Sequence, residues 1–395
     1  MKFYCVGGAV RDELLGLPVK DRDWVVVGGT PEELVAQGFR PVGKDFPVFL
    51  HPQTGEQYAL ARTERKAGRG YRGFTVYYAP QVSLEDDLRR RDLTINAIAR
   101  DEQGKLIDPH SGQRDLSARV LRHVSDAFGE DPVRILRVAR FAARFTEFTL
   151  AAETADLMST MVASGEADHL VAERVWQELA TGLMEARPSR MFQVLRDCGA
   201  LARILPELDK LWGNAQTPGG GAQADDGFLA MLVIDLAARE NSPLAVRFAA
   251  LTQHLDSTAD KPRPTSVRQL QALCARLGVP TELRQIALLS ARERHLIHNA
   301  NALAPESLVQ LLERLDAFRR PARLEQVLAA CSADWRGRQG SPDKEYPQAV
   351  RIGRAQAVAS AVDAGRLAAL GGGPDQIRER IHQHRVEAVA QALDA

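Results

Sequence analysis

The sequence predicts an α+β fold, in which a small mixed α/β head is followed by an all-helical neck, body and tail. Over about the first 115 residues, short β-rich runs alternate with helix-like pieces, separated by turns that contain Gly or Pro. From about Ser117 onward the strand signals vanish, and long stretches rich in Leu, Ala, Arg and Glu repeat with helical period. An apolar share of 45% and a charged share of 26% are typical of ordinary globular proteins and exclude a disordered or fibrous chain.

The head is expected to contain several short strands with helices between them. Thr30 is suited to cap a helix, and Pro31 is suited to its first position, since proline has no N–H to satisfy there. The strands are predicted at Phe3–Val6, Trp24–Val27, Val48–Leu50 and Gln57–Ala61, and the helices at Ala9–Leu15 and Pro31–Gln37.

The rest of the chain is predicted to be helical, with a linker inside it. The Gly-rich segment Gly213–Gly227 has the composition of a linker, and Asp260–Thr265, with two prolines, is a second candidate. We therefore expect a head over residues 1–115, a helical neck over 116–212, a linker over 213–227 and a helical body and tail over 228–395. The clearest helical periods cover Asp131–Phe145, Arg174–Glu185, Met191–Cys198, Leu308–Phe318 and Leu324–Ala333.

The overall charge gives no hint of a partner, because 51 Lys and Arg residues balance 51 Asp and Glu residues. A contact with nucleic acid would therefore require locally concentrated positive charge. The four cysteines show no C-x-x-C spacing, which fits a reducing compartment. The N-terminus lacks the apolar core of a signal peptide, and no stretch approaches the roughly 18 apolar residues of a membrane span. We expect a soluble, cytoplasmic protein.

The first chemical motif combines two glycines, an arginine and two aspartates. Gly7 and Gly8 end the first predicted strand, and the helix after them would bring backbone N–H groups and Arg11 close to a phosphate. Asp21 and Asp23 stand two residues apart at the start of a strand, so both carboxylates lie on one face. Such carboxylates repel each other unless a cation separates them, and Mg²⁺ is the hard, oxygen-seeking ion for this kind of site.

Two arginine-rich segments follow, for each of which a solvated surface is the alternative explanation. Arg89–Arg91 forms a basic cluster just before an apolar helical start. In the helix predicted after Asp131, four arginines fall within one arc about 120° wide. No acid among the intervening residues offsets their mutual repulsion, which favours a polyanion such as a triphosphate. These arginines are Arg134, Arg137, Arg140 and Arg144, and Ile135, Val138, Ala139 and Ala142 lie opposite them.

Together, these motifs resemble those of class II tRNA nucleotidyltransferases, the CCA-adding enzymes. The resemblance rests on the Gly7–Asp23 pattern, on Arg-Arg-Asp-Leu-Thr-Ile-Asn-Ala at 90–97 and on Glu-Asp-Pro-x-Arg-x-Leu-Arg-x-x-Arg-Phe at 130–141. It covers about the first 145 residues densely and extends thinly to Arg336-Gly337. Bacterial poly(A) polymerases share the head motifs but typically carry a basic Arg-Arg-Phe segment where this chain reads Val42–Phe49, which is similar to the CCA-adding branch.

The resemblance implies nucleotidyl transfer, in which the 3′-hydroxyl of tRNA attacks the α-phosphate of CTP or ATP and pyrophosphate leaves. It implies that Asp21 and Asp23 bind the catalytic Mg²⁺, and that metal ions activate the attacking oxygen and stabilise the leaving charge. Gly8 and Arg11 would hold the triphosphate, with Arg91 beside it.

The resemblance also implies a protein template for the incoming base. Asp131 and Arg134 would face its Watson–Crick edge, where a carboxylate and a guanidinium offer acceptors and donors that distinguish C from A. Arg137 and Arg140 would complete the nucleotide pocket. The helical body would bind the acceptor arm of tRNA through its backbone and shape. Neither a monomer nor a homodimer is favoured by the sequence.

Two features near the aspartates leave alternatives open. A third carboxylate often joins such a pair, and Glu56 and Glu64, which flank the Gln57–Ala61 strand, are both candidates. The segment Arg62–Gly73 has five basic residues and three glycines. It is predicted to be a mobile basic loop that contacts the primer end or pyrophosphate, or else an exposed loop kept soluble by its charge.

The chain departs from the family pattern in its helical body. Many bacterial members carry a metal-dependent phosphohydrolase region with an adjacent His-Asp pair and further His ligands on neighbouring helices. In the corresponding stretch here, Leu255 separates His254 from Asp256, and the usual Gly-Lys is absent. His295 and His298, at i,i+3 spacing, are interpreted as surface residues. We expect a module that is retained structurally but has lost its activity.

The leading hypothesis is therefore an enzyme that adds or repairs the CCA end of tRNA from CTP and ATP without a nucleic-acid template. A poly(A) polymerase or an A-adding enzyme is the alternative among enzymes. A non-catalytic RNA-binding protein with a decayed head is the alternative from another class, although Asp21, Asp23 and their basic neighbours are all present.

Overall fold

The computed structural model describes residues 1–42, 48–66, 74–213, 225–255, 267–340 and 343–394. It divides into two compact units, of which the first comprises Met1–Gly182 and Arg190–Ile204, and the second comprises Leu183–Ser189 and Leu205–Ala395. The first unit contains the predicted head and most of the predicted neck, and the domain boundaries themselves stay a prediction. Most of the linker expected at 213–227, all of Asp260–Thr265, and Asp256 lie outside the described residues.

The head is built on a seven-stranded sheet with the order β3-β4-β5-β2-β1-β8-β9. Neighbouring strands are antiparallel, except for the parallel pair β2 and β5. Two smaller sheets, β6-β7 and β10-β11, complete the described strands. The strands are β1 (Lys2–Val6), β2 (Asp23–Val27), β3 (Arg40–Pro41), β4 (Val48–Leu50), β5 (Gln57–Leu60), β6 (Arg62–Lys66), β7 (Phe74–Tyr78), β8 (Ala99–Arg100), β9 (Leu106–Ile107), β10 (Val120–Leu121) and β11 (Thr149–Leu150).

The valines of β2 explain why this strand lies in the middle of the sheet. Val25 packs on one face in a cluster with Leu88, whereas Val26 packs on the other face in a cluster with Leu34. A strand buried on both faces reads as a continuous apolar run, which is the pattern that the sequence shows here. Because side chains alternate along a strand, Asp23 shares the face of Val25, and Trp24 shares the face of Val26.

Nine of the described helices lie wholly or mostly in the first unit. A Thr30 capping box starts the second of them, and Pro31 occupies its first position, which confirms the sequence prediction. The helices are α1 (Gly8–Leu14), α2 (Pro31–Ala36), α3 (Leu84–Arg89), α4 (Gly112–Ala118), α5 (Val133–Arg144), α6 (Ala152–Ala163), α7 (Ala172–Leu183), α8 (Ser189–Asp197) and α9 (Ala200–Ile204). Short 3₁₀ helices include Thr94–Asn96 and Asp126–Glu130.

The expectation that strands vanish after about Ser117 is wrong in one place. Strands β10 and β11 pair in parallel, with Val120 opposite Thr149 and Leu121 opposite Leu150. Each strand has only two residues, so neither shows a period that sequence analysis could detect.

The elements described in the second unit are helices joined by turns. Helices α11, α12, α14 and α16 pack against one another, and α15, α17 and α19 form a further group. Among the described residues, no helix combines the length and the apolar character needed to cross a membrane. The four cysteines are free and buried. The helices are α10 (Pro206–Asp209), α11 (Asp226–Arg239), α12 (Leu244–Thr252), α13 (Arg268–Leu277), α14 (Thr281–His298), α15 (Pro305–Arg314), α16 (Pro321–Arg338), α17 (Pro347–Ser360), α18 (Ala364–Ala369) and α19 (Pro374–Asp394).

Candidate active site

The sheet register brings the glycine turn and the aspartates together. Strand β1 runs antiparallel to β2 with Val6 opposite Asp23, so the Gly7-Gly8 turn lies at the same sheet edge as the start of β2. Gly7 has φ 71°, a left-handed conformation that favours glycine, and its N–H donates to the carbonyl of Ile98. A Cβ at Gly7 would come within 2.9 Å of Nη1 of Arg91. The turn is therefore fitted closely around Arg91.

The aspartates and Arg91 form one electrostatic group. Loss of solvent raises the pKa of Asp23, and the charge of Asp21 adds to this rise, whereas the charge of Arg91 opposes it. Arg91 is anchored by Asp87 at 3.3 Å, and its Nε–H is buried with no hydrogen-bond partner among the described residues. Two adjacent carboxylates with an unused guanidinium donor beside them fit a divalent cation that also binds a phosphate.

No group of three or more His, Cys, Asp or Glu side chains in the described parts of the chain is arranged to hold a metal ion. Proteins often bind Mg²⁺ through one or two carboxylates, while substrate phosphates and water complete the shell. Asp21 and Asp23 are a pair of carboxylates of this kind.

Of the two candidates for a third carboxylate, only Glu56 has a described side chain. Glu56 accepts a hydrogen bond from Nε1 of Trp24 at 3.0 Å. Since Trp24 and Asp23 lie on opposite faces of β2, Glu56 is held on the face away from the aspartates. The side chain of Glu64 lies outside the described residues. The prediction of a loop over Arg62–Gly73 is wrong for its first five residues, which form strand β6, and residues 67–73 are not described.

Arg11 does not extend into solvent but is buried behind the glycine turn. It is 3% exposed, and it donates to Oδ1 of Asp12 at 2.8 Å and to Oδ1 of Asn96 at 2.5 Å. Its guanidinium also lies 5.2 Å from the ring centre of Phe141 and 5.1 Å from that of Phe145. These contacts connect α1 to α5. A direct contact of Arg11 with triphosphate stays a prediction, and the ligand-free geometry favours a supporting role.

Three of the four arginines of α5 are paired with acids from elsewhere in the unit, which corrects the argument that their repulsion calls for a polyanion. Arg137 donates to Asp92 at 2.7 Å, Arg140 to Glu178 at 2.7 Å and Arg144 to Asp12 at 2.8 Å. Pairing of this kind relieves the self-repulsion without any ligand. The stripe remains amphipathic, but its charge is largely compensated.

The two residues predicted to face the base have defined partners. Arg134, 7% exposed, donates to the carbonyl oxygens of Ala127 at 2.5 Å and Arg90 at 2.6 Å, so it connects α5 to the basic cluster. Asp131 lies two residues before α5 and accepts from the N–H of Val133 at 3.1 Å. Both of its oxygens also accept from Arg174, at 3.1 and 2.9 Å.

The centre of this network is the buried carboxylate of Asp92. It accepts hydrogen bonds from the N–H of Leu93 at 2.8 Å, from Asn96 at 2.9 Å and from Arg137. Burial alone would raise the pKa of Asp92, but Arg137 and these hydrogen bonds hold it well below its usual range. The charge of Asp92 in turn raises the pKa of Arg137. The pair is therefore ionised and fixed at neutral pH.

Two histidines of the helical body, His254 and His298, meet around a second carboxylate, Asp334. His254 Nε2 lies 2.8 Å from one oxygen of Asp334, and His298 Nε2 lies 3.2 Å from the other. Arg338 donates to Asp334 at 2.9 Å and also pairs with Asp226 at 3.1 Å. The interpretation of His298 as a plain surface residue is thus wrong, because it also contacts the hydroxyl of Tyr346 at 2.8 Å.

The chain matches two protein-family models and is similar to curated proteins over its whole length. Residues 3–122 match the poly A polymerase head domain, and residues 147–211 match the probable RNA and SrmB-binding site of polymerase A. A "Multifunctional CCA protein" of Cupriavidus taiwanensis is 59% identical over 411 residues, which cover 100% of this chain and 99% of that protein. One of Burkholderia cenocepacia is 58% identical over 409 residues, with 100% and 99% covered.

Solved structures share the fold. A Bacillus stearothermophilus CCA-adding enzyme in complex with CTP aligns with a TM-score of 0.66 and 24% identity, covering 98% of this chain and 88% of that one. A Thermotoga maritima CCA-adding enzyme complexed with tRNA aligns with a TM-score of 0.61 and 21% identity, covering 100% and 91%.

Proposed function

The chain belongs to the family of multifunctional CCA proteins and adds CCA to tRNA, and we propose that it does so from CTP and ATP at the Asp21–Asp23 site with Mg²⁺. The observation that carries the assignment is the 59% identity that extends over the full chain, head and helical body together. The site agrees with it, since the glycine turn, the aspartates and Arg91 meet at one edge of the sheet. A cytoplasmic location stays a prediction.

In the proposed site, Asp21 and Asp23 hold the divalent cation. When bound, Mg²⁺ would activate the attacking 3′-hydroxyl of tRNA and stabilise the pyrophosphate that leaves. Arg91 supports the triphosphate through its unused Nε–H, and Gly8 allows the backbone to approach a phosphate oxygen. Arg11, from its buried position, maintains the turn that presents Gly8.

In the proposed template, Asp131 and Arg134 select the base, and Arg137 and Arg140 line the pocket. Cytosine and adenine both present an amino donor beside a ring-nitrogen acceptor on their Watson–Crick edges, whereas uracil and guanine present a carbonyl beside an N–H. A carboxylate acceptor next to a guanidinium donor therefore accepts C and A and rejects U and G. The pair reads what C and A share, so the choice between C and A requires a further group, contrary to the expectation that the pair itself distinguishes them.

The test of this function uses purified protein and a tRNA that lacks its CCA end. With CTP alone, we expect two residues to be added, and with CTP and ATP together, three. A poly(A) polymerase or A-adding enzyme would instead extend the tRNA with ATP alone, and a non-catalytic RNA-binding protein would extend nothing. The proposal would be overturned if CTP were incorporated neither when supplied alone nor when supplied together with ATP.

We propose in addition that the helical unit has no phosphohydrolase activity. Both oxygens of Asp334 accept hydrogen bonds from imidazoles, and Arg338 joins Asp334 to Asp226 with its positive charge. The guanidinium of Arg338 lies between the two carboxylates that a metal ion would have to bind, so these residues do not fit a catalytic metal.

We therefore expect no hydrolysis of 2′,3′-cyclic or terminal phosphates when the purified protein is supplied with Mg²⁺, Mn²⁺, Co²⁺ or Ni²⁺. CCA addition by the same preparation is the control that the protein is folded and active. Metal-dependent turnover that survives in a variant without active-site aspartates would contradict this proposal while leaving the first one intact.

A further inference from the structure

One face of α7 holds the residues that are proposed to read and bind the nucleotide. Arg174 binds Asp131, and Glu178, one turn further along α7, accepts from Arg140 at 2.7 Å and lies 3.6 Å from Nη1 of Arg137. Neither Arg174 nor Glu178 belongs to the sequence motifs described above. We propose that Arg174 is a positioning residue that fixes the Asp131 carboxylate in the orientation needed to select C and A. This inference rests on the proposed template role of Asp131.

The geometry distinguishes this pair from an ordinary surface ion pair. Arg174 contacts both oxygens of Asp131 with two nitrogens, at 3.1 and 2.9 Å, and the two side chains are 28% and 21% exposed. A bidentate pair of this kind fixes the plane of the carboxylate as well as its position. The N–H of Val133 adds a third contact at 3.1 Å from the first turn of α5. The carboxylate is thus held from two directions.

This orientation matters because an acceptor that reads a base must meet its amino group in line. A carboxylate accepts through lone pairs in its own plane, so a rotated Asp131 would offer the base a poorer hydrogen bond. The loss would weaken base binding and selection but leave the α-phosphate chemistry at Asp21 and Asp23 unchanged. The expected signature is therefore a raised KM and a loss of discrimination, with kcat nearly unchanged.

The experiment compares Arg174→Ala and Arg174→Lys with the unaltered protein, using CTP and UTP on tRNA that lacks CCA. For Arg174→Ala we expect KM for CTP to rise about tenfold, the usual effect of losing a charge-assisted hydrogen-bonded contact, with kcat changed by less than about threefold. The preference for CTP over UTP should fall by a similar factor. Arg174→Lys keeps the charge but not the planar fork, so it should fall between the other two proteins.

Arg203→Ala is the matched control, because Arg203 also binds a carboxylate through two nitrogens, that of Asp168, but the pair is exposed. Melting temperatures of all variants are measured alongside. A purely structural role would lower the melting temperature and reduce turnover of both nucleotides equally, which would overturn the inference, as would unchanged KM and selectivity in Arg174→Ala.

Asp131→Ala separates this inference from the function on which it rests. If Asp131→Ala loses base selection but Arg174→Ala does not, the positioning role is wrong and the template stands. If Asp131→Ala keeps the preference for CTP over UTP, the template assignment itself is wrong, and the role of Arg174 falls with it.

Discussion

Replacing Asp21 and Asp23 together by alanine is expected to abolish CCA addition while leaving tRNA binding largely intact. The two carboxylates are exposed at one edge of the sheet, so their removal costs little folding free energy, but it removes the proposed cation site. A bound cation supplies several kcal/mol of transition-state stabilisation, which corresponds to about a thousandfold or more in rate. Turnover with CTP and ATP and the Kd for tRNA are measured on the same preparation.

The matched control removes two carboxylates of the same unit that have no proposed role. Glu147 pairs with Arg119 and Asp168 pairs with Arg203, and all four side chains are exposed by at least 41%. The variant carrying both Glu147→Ala and Asp168→Ala should keep its rate within about twofold. Normal turnover in the Asp21→Ala, Asp23→Ala protein would disprove the metal assignment. Loss of tRNA binding there would show that the aspartates serve the fold rather than the chemistry.

The fold of the head could be predicted because its signals are local in sequence. The valines of β2 read as a strand buried on both faces, Thr30 and Pro31 fix the start of α2, and the two glycines mark the turn after β1. The position of Asp23 next to that turn follows from antiparallel pairing of adjacent strands. The motif and its place at this edge of the sheet can therefore be predicted from the sequence.

The supporting shell of the site could not be predicted, because its partners are distant in sequence. Arg144 binds Asp12 across 132 positions, Arg137 binds Asp92 across 45, and Arg140 binds Glu178 across 38. Within α5 alone, these arginines appear uncompensated. An argument from local charge therefore points to a ligand where the folded chain supplies the counter-charges itself.

In the helical body, too, the residues that contact one another are distant in sequence. His254, just after α12, and Asp334 of α16 are 80 positions apart, and His298 joins them from α14. Spacing in the sequence indicates only that the adjacent His-Asp pair is absent. In the folded chain the polar groups of this cluster are partners of one another, so the cluster connects α14 and α16 with the end of α12.

Asp92 is the residue whose loss should destabilise the first unit most. Asp92→Ala would leave Arg137 without its closest carboxylate and would remove the acceptor of Asn96, which in turn orients Arg11. Removal of one partner from a buried ion pair costs about 3–5 kcal/mol, and the lower end applies because the Arg137 side chain is 35% exposed. The melting temperature of Asp92→Ala should therefore be lower than that of the unaltered protein by about 6–12 °C. Glu147→Ala should lower it by less than about 2 °C. An unchanged melting temperature in Asp92→Ala would contradict the central role of this carboxylate.

The pH dependence separates the charge of Asp92 from its hydrogen bonds. Its pKa is lower in the folded than in the unfolded chain, so its contribution is fully present above the unfolded value of about 4 and declines as the pH falls toward the folded value. Asp92→Asn keeps the shape of the side chain but cannot ionise. The difference in melting temperature between the unaltered protein and Asp92→Asn should therefore stay constant from pH 8 to about pH 5 and shrink below about pH 4. A difference that is lost already near pH 6 would assign the stabilisation to a histidine instead. Asn96 connects the carboxylate of Asp92 to the glycine turn through Arg11. Asp92→Asn should therefore also weaken CTP binding, which is measured as a rise in Kd. Such a rise would show that the residues that stabilise the fold also support the catalytic site.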